Sequence, residues 1–306
     1  LNFSTKIFYC AVQNNMDNFV SANGSLQGIG AATTMVTERF QASDIRARKG
    51  HGRLVCLTAY DTPMAKCVDQ HCDLVLVGDS LAMVVYGLET TRGVTLDIMI
   101  AHGQAVMRGT ERACVVVDLP HGSYETSPTQ AVASAQRVFD ETGCQAVKLE
   151  GGEEMAETVA TIVAAGIPVL GHIGLLPQKA EHRGGFKIQG KDDEGAAQVY
   201  RDARAIENAG AFAIVIEGTV EVVARTVTEQ SGVPMIGIGA SPACDGQILV
   251  TQDMVGLFAD FTPKFVKRYG DAGKVIAEAI GEYANDVREG KFPTLDHCFG
   301  VKKTKD

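Results

Sequence analysis

Leu74-Val75-Leu76-Val77-Gly78-Asp79-Ser80 constrains the fold more than any other stretch of the chain. Four apolar residues run unbroken into a glycine, a carboxylate and a hydroxyl. A run of this kind reads as a strand buried on both faces, the habit of parallel sheets. In parallel barrels and open α/β sheets the C-terminal strand end is where chemistry is placed. The pattern recurs in Val115-Val116-Val117-Asp118, Ala146-Val147-Lys148-Leu149-Glu150 and Ala213-Ile214-Val215-Ile216-Glu217. Four buried strands ending in acids predict a ring of acids around one site.

Strand and helix alternate along the whole length from residue 53 onward. The expected strands are 53–60, 73–78, 113–118, 146–150, 168–172, 212–217 and 234–239. The weakest candidate, Lys264-Phe265-Val266, is taken as the eighth. Helices are expected from Thr62 with Pro63 in the first turn, over 95–108, from Ser127-Pro128 to Gly143, and over 154–165. Further helices are expected over 195–208, 220–230 and 271–288, and a short one within Phe40–Lys49 before the first strand. Residues 173–194 lack periodicity, carry Gly184-Gly185 and Gly190, and read as a long functional loop of lid type. With no hairpin signal anywhere, the pattern predicts an α/β protein with a parallel sheet. The unit count, and carboxylates converging from several strands, favour a closed (β/α)8 TIM barrel over an open sheet.

The 306 residues fit one such barrel, placed at 35–306. Residues 1–34 are polar, rich in Asn, Ser and Gly, and without a period. They read as a disordered or non-native extension, with a mitochondrial transit peptide as the alternative. On that basis a cytoplasmic location is expected, or a mitochondrial one if the extension is a targeting segment. The net charge is −9 and no Lys/Arg cluster occurs, which leaves no footprint for nucleic acid or an anionic membrane. No apolar run is long enough to span a bilayer. Eight cysteines without a Cys-x-x-Cys or a pairing rhythm read as reduced, buried thiols. Gly237-Ile238-Gly239 lacks the third glycine of a dinucleotide fingerprint.

Asp79 and Asp118 end neighbouring strands. Two such carboxylates in a partly buried site require a cation or a proton between them. Oxygen donors without a Cys/His set suit Mg²⁺, to which Glu150 adds a third oxygen directly or through water. Each acid taken singly is also compatible with capping the helix that follows. Glu217, from a more distant strand, suits a general base. Lys148 faces inward with Glu150, and either pairs with it or neutralises a substrate carboxylate. His172 is the one His at a strand end, a place where a structural His is commoner than a catalytic one.

These and further stretches resemble one family, the ketopantoate hydroxymethyltransferases. The matching residues are Thr58-Ala59-Tyr60-Asp61, Val77-Gly78-Asp79-Ser80-Leu81, Asp118-Leu119-Pro120, Val147-Lys148-Leu149-Glu150-Gly151-Gly152, Gly171-His172-Ile173-Gly174-Leu175 and Pro177-Gln178. They continue with Gly184-Gly185-Phe186-Lys187-Ile188-Gln189-Gly190, Gly237-Ile238-Gly239-Ala240, Asp245-Gly246-Gln247-Ile248-Leu249-Val250 and Pro263-Lys264-Phe265. Departures from the family pattern stand at Arg92-Gly93, His121, Leu176 and Ser241.

The resemblance implies a barrel of the phosphoenolpyruvate/pyruvate superfamily, a bound Mg²⁺ and a homo-oligomer, usually a decamer. It implies transfer of a hydroxymethyl group from the co-substrate 5,10-methylenetetrahydrofolate to 3-methyl-2-oxobutanoate, giving 2-dehydropantoate for pantothenate and coenzyme A synthesis. By position, Asp79, Asp118 and Glu150 resemble the metal-site acids, Ser80 and Lys148 the contacts to the 2-oxo acid, Glu217 the base, and His172 a residue lining the site. The rival reading is a Mg²⁺-dependent 2-oxo acid lyase or mutase of the isocitrate lyase/phosphoenolpyruvate mutase branch. The strings 184–190 and 245–250 argue against it.

Overall fold

The computed structural model describes residues 38–180, 186–258 and 262–300. The extension read in residues 1–34 and the Gly184-Gly185 pair lie outside them. Eight parallel strands close into a barrel in sequence order. They are β1 (Leu54–Thr58), β2 (Leu74–Val77), β3 (Cys114–Asp118), β4 (Ala146–Glu150), β5 (Val169–Gly174), β6 (Ala213–Glu217), β7 (Met235–Ile238) and β8 (Gly246–Leu249). The helices are α1 (Ala42–Arg46), α2 (Thr62–Asp69), α3 (Leu81–Val84), α4 (Leu96–Met107), α5 (Pro128–Thr142), α6 (Ala156–Ala164), α7 (Asp193–Asn208), α8 (Glu221–Gln230), α9 (Thr251–Met254) and α10 (Ala272–Arg288).

Local chemistry sets the helix starts. Asp61, Thr95, Ser127 and Asp192 each accept a hydrogen bond from the first turn of the helix that follows, which satisfies one of the amides a helix start leaves bare. The Asp192 cap starts α7 two residues earlier than its apolar period indicates.

Side chains alternate across each strand. The inward set includes Leu54, Leu74, Leu76, Val116, Val215 and Ile248, all buried. Ala42 and Ile45 of α1 belong to this inner cluster, so the short helix expected before β1 plugs the N-terminal end of the barrel. The outward set, including Val75, Val77, Val115, Val117, Val147 and Leu149, is buried under the helices. Continuing the inward alternation to the C-terminal ends brings Asp118, Lys148, Glu150, His172 and Glu217 into the barrel mouth.

The eighth strand is not at Lys264-Phe265-Val266, which lies outside any strand; it is Gly246–Leu249, paired with β1 from Leu54↔Gly246 to Leu57↔Leu249. The apolar-run criterion fails here for a physical reason. On β1 and β8 the outward face is open, with Val55 47% exposed and Gln247 exposed. A half-solvated strand needs no continuous apolar run. Closure also requires a glycine: a Cβ on Gly246 would lie 2.6 Å from Leu54 Cβ and 2.8 Å from its carbonyl oxygen.

Of the expected 173–194 loop, Ile173 and Gly174 extend β5, and Pro177–Lys179 form a 3₁₀ turn. At its far end Gln189 bridges to Thr219 beside the end of β6. The helix α10 has no buried residue, and Ile276, Ile280 and Tyr283 on it are exposed.

Candidate active site

Asp79 stands one residue past the end of β2. Gly78 takes the inward position before it, where a Cβ would sit 2.8 Å from Ser80 Oγ and 3.6 Å from Asp118 Oδ2. The missing side chain lets β2 and β3 deliver their acids side by side: the Asp79 amide donates to Asp118 Oδ2 at 3.0 Å. Lys148, from the next strand, places Nζ 2.5 Å from Asp118 Oδ1. Of the two roles open to Lys148, pairing with Glu150 is not what forms; its ion-pair partner is Asp118. Glu150 instead accepts from the Gln178 amide through Oε2 at 3.1 Å and turns Oε1 toward His172 Nδ1 at 3.6 Å. The other face of His172, at Nε2, lies 3.3 Å from Glu217 Oε2. His172 is therefore the wedge between two carboxylates, and neither ring nitrogen has a hydrogen bond of good geometry.

Burial decides the electrostatics. Asp79, Asp118, Lys148, Glu150 and His172 are all buried, whereas the side chain of Glu217 keeps 17% exposure. Burial first, then the charge of Asp118, pushes Asp79 up to about 7 against the pull of Lys148. Burial and the neighbouring Asp79 hold Glu150 well above the usual carboxylate range. Burial and the Lys148 charge push His172 down, which keeps the imidazole neutral at pH 7. Burial pulls Lys148 down, but Asp118, Asp79 and Glu150 outweigh it and the ammonium stays charged. Crowded acids with raised values mark a site lacking positive charge.

A hard divalent cation fits this donor set. All candidate donors are oxygens, two adjacent carboxylates strain against each other, and Mg²⁺ binds through one or two carboxylates while keeping its waters. Among the described residues no three His, Cys, Asp or Glu side chains form a ready cage, so water or substrate oxygens would complete the shell. Ser80 Oγ lies 2.8 Å from the Tyr60 hydroxyl at the rim of the same mouth. Three participants escape a strand-end reading: Tyr124, Gln178 and Thr91, all buried. Gln178 Nε2 donates to Asp79 Oδ2 at 2.8 Å, and Thr91 also lowers the Asp79 value. Loops carry all three, so no apolar run announces them; only the Pro177-Gln178 motif pointed to one.

Arg92 and His121, two of the departures from the family pattern, meet each other at 2.6 Å, and Glu125 Oε1 lies 2.8 Å from the far nitrogen of His121. Ser241, a third, bonds Glu221 at 2.7 Å. The cysteines within the described residues are free, and five of the seven are buried. None of the described helices is long and apolar enough to cross a membrane.

Residues 39–295 match the family model for ketopantoate hydroxymethyltransferase. The chain is 59% identical over 266 residues to a 3-methyl-2-oxobutanoate hydroxymethyltransferase of Agrobacterium fabrum, covering 87% of this chain and 95% of that protein. It is 61% identical over 269 residues to the enzyme of the same name from Mesorhizobium japonicum, with 88% and 94% covered. Among solved structures, phosphonopyruvate hydrolase superposes with a TM-score of 0.55 at 15% identity, covering 84% of this chain and 90% of that one. A 2,3-dimethylmalate lyase of the phosphoenolpyruvate mutase/isocitrate lyase superfamily superposes with 0.54 at 16% identity, over 86% and 91%. At such identities the structures share the fold alone. Matched by the family model over nearly the whole barrel and about 60% identical to hydroxymethyltransferases over most of its length, the chain belongs to the ketopantoate hydroxymethyltransferase family.

Proposed function

We propose that the barrel mouth performs the family reaction, hydroxymethyl transfer to 3-methyl-2-oxobutanoate, with the strand-end residues in separate roles. Asp79 and Asp118 hold Mg²⁺, with Glu150 as the third acid of the metal site. When bound, Mg²⁺ supplies the positive charge that stabilises the negative charge developing on the keto oxygen. Lys148 and Ser80 orient the 2-oxo acid, Lys148 by facing its carboxylate. Glu217 removes the C3 proton. Its partial exposure suits a base that must return that proton to solvent, in contrast to the enclosed Asp79, Asp118 and Glu150. Neutral His172 keeps Glu217 and Glu150 apart and aims Glu217 into the mouth. The enolate carbon then forms the new C–C bond to the one-carbon unit of 5,10-methylenetetrahydrofolate. Water supplies the hydroxyl oxygen, tetrahydrofolate leaves, and 2-dehydropantoate is released for pantothenate synthesis.

The observation that carries this reading is the pairing of Asp79 with Asp118 beside Lys148, a charge arrangement that calls for one more cation. The test is solvent-deuterium exchange at C3 of 3-methyl-2-oxobutanoate, followed by NMR with and without Mg²⁺ and then with methylenetetrahydrofolate. Metal-dependent exchange followed by conversion to 2-dehydropantoate is the expected result. Folded, metal-loaded protein that does neither would move the assignment to the lyase/mutase branch.

Self-association belongs to the same reading. The solvent-facing apolar residues of α10 call for cover, and a second copy of the chain supplies it, as the family's decamers suggest.

A further inference from the structure

Gln178 makes four hydrogen bonds that no catalytic role assigned above requires. Its side-chain Nε2 donates to Asp79 Oδ2 at 2.8 Å and to the Leu119 carbonyl at 3.1 Å. Its side-chain oxygen accepts from the Tyr124 hydroxyl at 2.6 Å, and its main-chain N–H donates to Glu150 Oε2 at 3.1 Å. Tyr124 in turn accepts from the Glu150 main-chain N–H at 3.3 Å. Gln178 is 1% exposed and Tyr124 0%. One residue is thus bonded to the C-terminal ends of three consecutive strands: its side chain reaches β2 through Asp79 and β3 through the residue after Asp118, and its main-chain N–H reaches β4 through Glu150.

The direction of these bonds matters. Both amide hydrogens are committed, and the Leu119 carbonyl and the Asp79 carboxylate together forbid the flipped amide, which would set oxygen against oxygen at two places. Gln178 therefore presents donors to one oxygen of Asp79 and one of Glu150. Each acid keeps its other oxygen for a ligand. Being neutral, Gln178 holds Asp79 through its side chain and Glu150 through its main-chain N–H without supplying the charge that a cation would otherwise bring. A lysine in its place would compete with the metal, and a carboxylate would repel both acids.

We propose that Gln178, locked by Tyr124, is the positioning residue that fixes Asp79 and Glu150 in the orientation that receives the divalent cation. The proposal rests on the metal assignment above. Partners of this kind behind metal ligands typically contribute ~10–100-fold in metal affinity.

The test is Mg²⁺ titration of the full chain by calorimetry for wild type, Gln178→Leu, Tyr124→Phe, the double variant, and Asp79→Asn as control. Gln178→Leu is expected to weaken Mg²⁺ binding by about 10–100-fold. Tyr124→Phe is expected to lose less in the same direction, and the double variant no more than Gln178→Leu, because the two residues act as one unit. A role in packing alone would lower the melting temperature and leave the Mg²⁺ affinity of the folded protein unchanged. If Asp79→Asn loses affinity while Gln178→Leu and Tyr124→Phe keep it, the positioning role is overturned. If Asp79→Asn itself binds Mg²⁺ like wild type, the metal assignment fails and this proposal falls with it. Should Gln178→Leu not fold, Tyr124→Phe decides alone: wild-type affinity there refutes the lock.

Discussion

Glu217 and Lys148 sit in the same mouth, yet their replacement should be felt in different observables. Glu217→Gln keeps shape and hydrogen-bonding capacity but removes the proton acceptor. C3 proton exchange should fall by ~10²–10⁴-fold, while Mg²⁺ and 3-methyl-2-oxobutanoate still bind; exchange at the normal rate, read by NMR, would rule Glu217 out as the base. Lys148→Met leaves Asp118 as an unpaired charge in a site where both partners are buried. Breaking a buried pair from one side typically costs about 3–5 kcal/mol. That loss should appear in urea unfolding of the metal-free protein and shrink when Mg²⁺ is present, because the cation takes over the charge that Lys148 supplied. Equal losses with and without Mg²⁺ would mean that Asp118 is not a metal ligand.

At the scale of elements, the barrel depends on places where a side chain is missing. Gly246 closes the ring against Leu54, and a methyl group there would enter the space of the Leu54 side chain and carbonyl. Gly246→Ala should therefore destabilise by roughly 1–3 kcal/mol, the usual cost of overpacking, measured as a lowered urea midpoint with an unchanged slope. A neutral result would mean that the β1–β8 seam is looser than its pairing indicates. This same seam shows where reading the sequence by apolar runs stops working. Strands β2 to β6 are sealed by helices outside and side chains inside, so Leu74–Val77 and Cys114–Asp118 announce themselves. Gly246–Leu249 alternates with exposed Gln247 and does not. The acids at the ends of β3, β4 and β6 were legible because the inward alternation simply continues to them. Gln178 and Tyr124 were not, since a loop residue takes its role from what it touches.

For the whole molecule, α10 is the feature that a single barrel leaves unexplained. Its 17 residues carry Val275, Ile276, Ile280, Tyr283 and Val287 exposed, with no buried residue to anchor them. If a second copy covers this helix, Ile280→Glu should shift the protein toward smaller species in analytical ultracentrifugation while leaving the barrel folded by circular dichroism. An unchanged oligomer would place the self-association surface elsewhere, and a wild-type protein that sediments as a monomer would remove the proposal altogether.

Strand–helix alternation, a parallel closed sheet and acids at its C-terminal ends can all be read from the residue order. Each of these follows from periodicity within a few residues of chain, the range over which burial imprints a pattern. It also carried the family, through motifs spread along the barrel. Which charges meet is set by the folded barrel instead. Lys148 joins Asp118 across neighbouring strands rather than Glu150 on its own strand, His172 divides Glu150 from Glu217, and Gln178 ties three strand ends together. Those pairings depend on register and on the closure of the ring, which bring together residues far apart in the chain at distances that local patterns do not encode.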